Sequence, residues 1–112
     1  TSTLTALGND YSFERIFVRQ LEAKAHVGDM VIGISTSGNS KNVLEALRYA
    51  KDNEMVTVLL TGGADNPKLS DVADYIVKVP ALITPRIQEV HIFIGHVIAE
   101  YVEFKMFGEK GR

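Results

Sequence analysis

A run of small hydroxyl residues joins an apolar segment to a helical pattern in the first half of the chain. The run consists of Ser35, Thr36, Ser37 and Ser40, with Gly38 among them. A helix N-terminus carries unpaired N–H groups and a partial positive charge, and both suit a phosphate. Because hydroxyl groups add further hydrogen-bond donors, the turn predicts a site for the phosphate of a small metabolite. The alternative is a plain helix N-cap, although a cap needs only one such residue.

The hydroxyl turn matches neither of the glycine-rich patterns that bind nucleotides. GxxxxGK[ST] and GxGxxG are both absent from it, and no lysine lies between Ser35 and Ser40. In those patterns the glycines and the lysine are what bring the backbone and a positive charge to the phosphates. We therefore expect no nucleotide cofactor.

Two histidines near the end of the chain are the candidates for proton chemistry. His91 and His96 lie in a segment that is otherwise apolar and predicts one long helix. Imidazole titrates near neutrality and also binds metals, so either histidine suits acid–base work or a metal site. A histidine on an apolar helix is, however, more commonly a hydrogen-bonded core residue. The residue pattern alone leaves both interpretations open.

Apolar patterning predicts that strands and helices alternate along the chain. Such alternation predicts an α/β fold, a three-layer α/β/α arrangement with a parallel sheet. Ligands bind such sheets at the carboxyl ends of the strands, where Asn9, Asp10 and the hydroxyl turn would lie. The two apolar runs 30–34 and 55–60 predict strands buried on both faces. Strands are predicted over 4–7, 30–34, 55–60 and 75–79, and helices over 12–25, from 40 or 41, over 67–73 and over 85–107.

Composition excludes several classes of protein. The chain has 112 residues, a formal net charge of -2 and no cysteine, and 46% of its residues are hydrophobic. These features argue against a disulfide framework, a thiolate metal site, and a nucleic-acid or membrane partner. The apolar C-terminal run contains charged residues and predicts a buried helix. We expect one domain over residues 1–112, located in the cytoplasm, with an upstream segment absent because the chain opens inside a structural element.

The segment GISTSGNS resembles the phosphate loop of the sugar isomerase (SIS) domain family. The likeness continues through LTALGNDYSFERIFVRQ, VTVLLTGG, VKVP and RIQEVHIFIGHVIAEYVE, and so extends over essentially the whole chain. The RIQEVH segment resembles one branch in particular, whose members isomerise sedoheptulose 7-phosphate. The resemblance implies a flavodoxin-like or Rossmann-like SIS domain. Residues 1–112 would form roughly its C-terminal two-thirds, without its N-terminal helices and first strand.

The resemblance also implies a role for each polar cluster. His96 would be the catalytic imidazole, and Gln88 and His96 would be ligands of a zinc ion. The family's remaining proton-transfer glutamate and metal-binding histidine lie upstream of these residues. The family is tetrameric, with sites at subunit interfaces. The implied substrate-binding residues are Asn9, Asp10, Ser35, Thr36, Ser37, Ser40 and Gln88.

The implied activity is conversion of D-sedoheptulose 7-phosphate to D-glycero-D-manno-heptose 7-phosphate, for the heptose of lipopolysaccharide or capsule. One alternative is a non-catalytic SIS module that binds a sugar phosphate or the replication initiator protein. A third possibility is a related enzyme acting on hexose or amino-sugar phosphates. His96 favours the enzyme, because the non-enzymatic relative lacks a histidine at that place.

The spacing of Gln88 and His96 conflicts with a shared ion. Eight residues of helix separate them by about 12 Å of rise and about 80° of rotation. Either the helix begins after Gln88, or the long side chains converge, or a second subunit completes the site. Pro85 departs from the polar, sugar-contacting residue that some family members carry there, so it cannot supply that contact.

Four further residues have ordinary explanations. Gly62 and Gly63 fit a tight turn after a strand. Gly95 predicts close packing between helices. Glu89 is on nearly the same helix face as His96, and is more simply a solvated carboxylate than a group that orients the imidazole.

Overall fold

The computed structural model describes residues 15–108 of the chain. Its helices are α1 (Ile16–Lys24), α2 (Lys41–Asp52) and α3 (Thr84–Phe107), with a 3₁₀ helix at Pro67–Asp71. Its strands are β1 (Met30–Ser35), β2 (Val56–Thr61) and β3 (Tyr75–Lys78). The predicted strand at 4–7, the start of the first predicted helix, and Asn9 and Asp10 lie outside the described residues. The other predicted elements are confirmed to within about two residues at their ends.

The three strands form a parallel sheet in the order β1-β2-β3. In the register of this sheet, Ser35 at the end of β1 lies opposite Thr61 at the end of β2. Thr61 in turn lies opposite Lys78 in β3. The carboxyl ends of all three strands therefore meet at one edge of the sheet, as the alternating pattern predicts.

Helices cover the two faces of the sheet. A Cβ added at Gly33 would lie 2.8 Å from Val43 and 3.2 Å from Leu47, so α2 packs closely on that face of β1. Side chains alternate along a strand, which places Ile34 on the opposite face. On that face Ile34 lines a cavity together with Ile92 of α3. The arrangement has α2 on one side and α3 on the other, and is the predicted three-layer α/β/α fold.

The main core lies between α2, β2 and the 3₁₀ helix. Leu47 and Leu59 are fully buried there, and burying a leucine contributes about 1.5–3 kcal/mol. At the start of β3, the Asp74 carboxylate accepts hydrogen bonds from the backbone N–H and the hydroxyl of Thr57. The backbone N–H of Asp74 donates back to Thr57, which joins β2 to the turn before β3.

Two expectations about burial are wrong for the described residues of this chain. Strand β2 is buried as predicted, but β1 is not buried on both faces, and Ile34 is 54% exposed. Helix α3 is exposed along most of its length, and its buried residues are Ile87 and His91. The apolar patterns are real, but the residues described do not supply the partners that would cover them.

Candidate functional site

The hydroxyl turn after β1 is shaped from within by Ser35. Its Oγ accepts hydrogen bonds from the backbone N–H groups of Gly38 at 3.1 Å and Ser40 at 3.4 Å. A hydroxyl has two acceptor positions and one donor. The two N–H groups fill the acceptor positions, so the Ser35 hydroxyl donates its hydrogen to Ser40 Oγ at 3.0 Å. The Ser35 side chain is buried and fully used inside the loop.

Ser40 occupies the N-cap position of α2 but does not act as an ordinary cap. Its side chain makes no capping hydrogen bond to the helix. Since Ser40 Oγ accepts from Ser35, its own hydrogen remains available for an acceptor outside the loop. The plain N-cap alternative predicts a hydroxyl that accepts from the first turn of the helix, which differs from this geometry.

The loop is supported from the side by a residue that the sequence did not indicate. The Asn66 amide nitrogen donates to the side-chain oxygen of Asn39 at 3.0 Å and to the carbonyl oxygen of Gly38 at 3.4 Å. Gly38 has a φ of 74°, in the region that favours glycine. In the structure Asn66 is the N-cap of the 3₁₀ helix and accepts from the backbone N–H of Lys68, and its contact with Asn39 across 27 residues is a tertiary feature.

A close backbone contact fixes the loop against the end of β2. A Cβ added at Gly62 would lie 2.7 Å from the carbonyl oxygen of Thr36 and 2.5 Å from Ile87 Cδ1. Glycine is therefore required at position 62 by close approach, which corrects the tight-turn explanation. At Gly63 an added Cβ would similarly lie 3.0 Å from the carbonyl oxygen of Ala81.

The buried residues of helix α3 contact the same end of β2. Ile87 packs against Gly62, and His91, one turn later, places Nε2 3.0 Å from the carbonyl oxygen of Thr61. Residues four apart lie on one face of a helix, so both contacts belong to one face of α3. That face is joined to the carboxyl end of β2, beside the hydroxyl loop.

An open cavity of about 740 Å³ lies between the loop and α3. It brings together most of the predicted site: Ser35, Thr36, Ser40, Gln88 and His96, with His91 and Gly95 also on its wall. Gln88 and His96 are exposed to it, whereas His91 is 4% exposed. An added Cβ at Gly95 would meet no described atom within 4 Å. The predicted close packing at Gly95 is therefore not found among the described residues.

Ser37 lies on the other side of the loop. It lines a smaller cavity of about 250 Å³ with Thr36, Thr84 and Ile87. Its Oγ accepts a hydrogen bond from the backbone N–H of Asn39. The loop thus presents hydroxyl groups to two neighbouring cavities, and Thr36 borders both.

The surroundings of Gln88 bear on whether Gln88 and His96 could bind one zinc ion. Helix α3 begins at Thr84, so the alternative in which the helix starts after Gln88 is wrong. Glu89 forms an exposed ion pair with Arg86 at 3.2 Å, as expected for a solvated carboxylate. Across residues 15–108, no group of three or more His, Cys, Asp or Glu side chains is arranged to hold a metal ion. Gln88 and His96 supply two donors, fewer than the three protein ligands of a typical catalytic zinc site.

Comparison with known proteins identifies the family. A family model described as the SIS domain matches residues 1–62, more than half of the chain. The chain therefore belongs to the SIS domain family. This agrees with the parallel sheet and with the hydroxyl loop at its carboxyl edge.

Within that family the chain is similar to phosphoheptose isomerases. It is 51% identical to phosphoheptose isomerase 2 of Campylobacter jejuni over 97% of this chain and 54% of the relative. It is 53% identical to the phosphoheptose isomerase of Aneurinibacillus thermoaerophilus over 98% of this chain and 55% of the relative. The structure of the Neisseria gonorrhoeae phosphoheptose isomerase superposes with a TM-score of 0.84 at 42% identity, covering 92% of this chain and 57% of that one. The chain spans about half the length of the curated relatives it matches. Within residues 15–108, no helix has the length and apolar character needed to cross a membrane.

Proposed function

We propose that the whole protein is a sugar-phosphate isomerase that converts D-sedoheptulose 7-phosphate to D-glycero-D-manno-heptose 7-phosphate, a reaction that supplies heptose for lipopolysaccharide or capsule. One observation carries the proposal: a loop of phosphate-binding type and the His96 imidazole line the same cavity. The similarity to phosphoheptose isomerases supports the choice of substrate.

In this proposal the loop holds the phosphate. Thr36 and Ser40 line the larger cavity, and Ser40 has a hydrogen to donate. Charge-assisted hydrogen bonds of this kind each contribute about 1.5–3 kcal/mol. Ser35 shapes the loop, and its role as a direct phosphate ligand stays a prediction, as does that of Ser37. Asn9 and Asp10 stay predicted sugar contacts.

The reaction moves one proton between two neighbouring carbons. A base removes a proton from C1 of the ketose, giving an enediolate. A proton is then delivered to C2 and another passes from O1 to O2, which leaves the aldehyde at C1 and a hydroxyl group at C2. No oxidant or reductant is consumed. His96 lines the cavity, and histidine is the side chain that most often serves as a general acid or base, so we assign it to this transfer.

Zinc and assembly extend the proposal. Gln88 and His96 would be two ligands of a zinc ion, which would polarise the substrate carbonyl, with further ligands from outside the described residues. The exposed apolar side chains of α3, including Phe93 at 67% exposure, are suited to an interface between subunits, and we propose a homotetramer. We place the protein in the cytoplasm, which the absence of cysteine fits.

The experiment measures isomerisation of sedoheptulose 7-phosphate by the full-length protein and its His96→Ala variant. We expect the substitution to lower kcat by about 10²–10⁴-fold, the usual contribution of a general acid or base. Phosphate binding should persist, since the loop is unchanged. His26→Ala is the matched control, because His26 is exposed in the turn after α1 and should leave turnover unaltered.

The same experiment separates the competing functions. A full-length protein that binds inorganic phosphate but turns over neither heptose nor hexose phosphates would be a binding module. Turnover of hexose phosphates alone would indicate the related enzyme. Full activity of His96→Ala would remove His96 from the mechanism.

A further inference from the structure

His91 in α3 shares the carbonyl oxygen of Thr61, at the end of β2, with the residue that follows β3. Its Nε2 lies 3.0 Å from the carbonyl oxygen of Thr61, and the backbone N–H of Val79, just after β3, donates to the same oxygen at 3.0 Å. A carbonyl oxygen has two lone pairs, so the two donors fill its capacity. Thr61 thereby links the end of β2 to β3 and to α3 through a single carbonyl group.

This contact fixes the chemical form of the ring. A carbonyl oxygen can only accept, so His91 Nε2 carries a hydrogen. The other ring nitrogen, Nδ1, is buried and has no hydrogen-bond partner among residues 15–108. The hydrogen on Nε2 is engaged by the Thr61 carbonyl oxygen, so this nitrogen ties α3 to the end of β2.

The contact between His91 and Thr61 lies between the hydroxyl loop and His96. Thr61 lies opposite Ser35 in the sheet register, and the next residue, Gly62, lies against the backbone of Thr36. On the other side of the contact, His96 follows His91 by five residues, about 7.5 Å along the helix axis. Ile87 contributes apolar packing at this point, whereas the hydrogen bond of His91 is a directional contact between α3 and the strand ends.

We propose that His91 is a positioning residue that sets the distance between the phosphate loop and His96. Its Nε2–H bond to the Thr61 carbonyl holds α3 in one register and tilt against the carboxyl edge of the sheet. The proposal rests on the proposed isomerase function where turnover is concerned, but the position of α3 relative to bound phosphate is independent of that function.

The experiment compares His91→Gln and His91→Leu in the full-length protein. A glutamine side chain can place an amide N–H near the position of Nε2, whereas leucine fills similar space with no donor. We expect His91→Leu to lower kcat by about 10–100-fold, as a misplacement near 1 Å does, with KM changed less than about threefold. His91→Gln should restore kcat to within about fivefold of the parent. Val18→Ala, a buried substitution in α1, is the control for lost stability and should leave kcat unchanged.

Crystal structures of the parent and both variants with inorganic phosphate complete the test. We expect the distance from His96 to the phosphate to match in the parent and His91→Gln, and to change in His91→Leu. An unchanged distance, together with parental kcat in His91→Leu, would overturn the proposal. So would equal losses of kcat in His91→Gln and His91→Leu. If the parent turns over no sugar phosphate, the isomerase function fails, and the crystallographic distances alone decide whether His91 positions the helix.

Discussion

Ser35 and Ser40 make opposite contributions to the loop, and alanine substitutions should separate them. In Ser35→Ala, the N–H groups of Gly38 and Ser40 lose a common acceptor. Gly38 retains the carbonyl oxygen of Ser35 at 3.2 Å, so the loss is partial. An unsatisfied buried donor costs about 1–3 kcal/mol, and we expect about 1–2 kcal/mol here. At about 2–4 °C per kcal/mol, the melting temperature of the full-length protein should fall by about 2–8 °C.

Ser40→Ala should lower the melting temperature less than Ser35→Ala, because it removes only the acceptor of the Ser35 hydroxyl, and it should also weaken phosphate binding. Its hydroxyl makes no cap, and the lost contact is a hydrogen bond to a charged ligand, about 1.5–3 kcal/mol. At about 1.4 kcal/mol per tenfold, the Kd for inorganic phosphate should rise by about 10–150-fold.

The two assays are thermal denaturation without ligand and calorimetric titration with inorganic phosphate. Ser70→Ala is the control, because its exposed hydroxyl donates to the nearby carbonyl oxygen of Pro67, away from the hydroxyl loop. The reasoning would be refuted if Ser35→Ala melted like the parent, or if Ser40→Ala bound phosphate with parental affinity.

Three further substitutions test the surroundings of the site. Gly62→Ala forces a Cβ to within 2.7 Å of the Thr36 carbonyl oxygen, so thermal denaturation should show a loss of about 1–3 kcal/mol, and an unchanged melting temperature would contradict the close contact. Asn66→Ala frees the loop from its side support, and the Kd for phosphate should rise by about 3–10-fold, the loss of about one neutral hydrogen bond; parental affinity would mean that the loop holds itself. For Asp74, the backbone N–H of Thr57, its hydroxyl and Lys51 lower the carboxyl pKa from 3.8, against burial, which raises it. Since its folded pKa is depressed, the ionised group stabilises the fold above pH 3.8 and this contribution is lost as pH falls through the lower folded pKa. Asp74→Ala should therefore melt below the parent at neutral pH and approach it in acid, and a gap that stays constant with pH would contradict the assignment.

The sequence predicts the fold well because its apolar residues follow clear strand and helix patterns. Continuous apolar runs indicate β1 and β2, and the polar turns after them indicate the shared edge where the cavity lies. The pattern overestimates, however, how deeply β1 and α3 are buried among the described residues. An apolar side chain there indicates that a partner is needed and does not identify that partner. Which segment or subunit covers it is not encoded locally.

The sequence predicts which residues form the candidate site, but it does not show the hydrogen bonds that connect them. In the sequence Ser40 has the position of a helix cap. In the structure Ser40 Oγ accepts from Ser35 and makes no cap, so the hydroxyl hydrogen of Ser40 is available to a ligand. His91 and His96 share one apolar helix, yet one is buried against a carbonyl group and the other faces the cavity. The two residues are about 140° apart around the helix, so tertiary packing decides which of them can move a proton.

Within residues 15–108, the outer edge of β1 has no partner strand, which has a practical consequence for handling the protein. An apolar cavity of about 390 Å³ lined by Phe17, Leu21 and Ile32 lies beside that strand. Unpaired edges next to apolar surface add strands from other molecules. A sample restricted to residues 15–108 is therefore expected to self-associate on concentration. Work on solubility and crystallisation should begin from the longest available form of the protein.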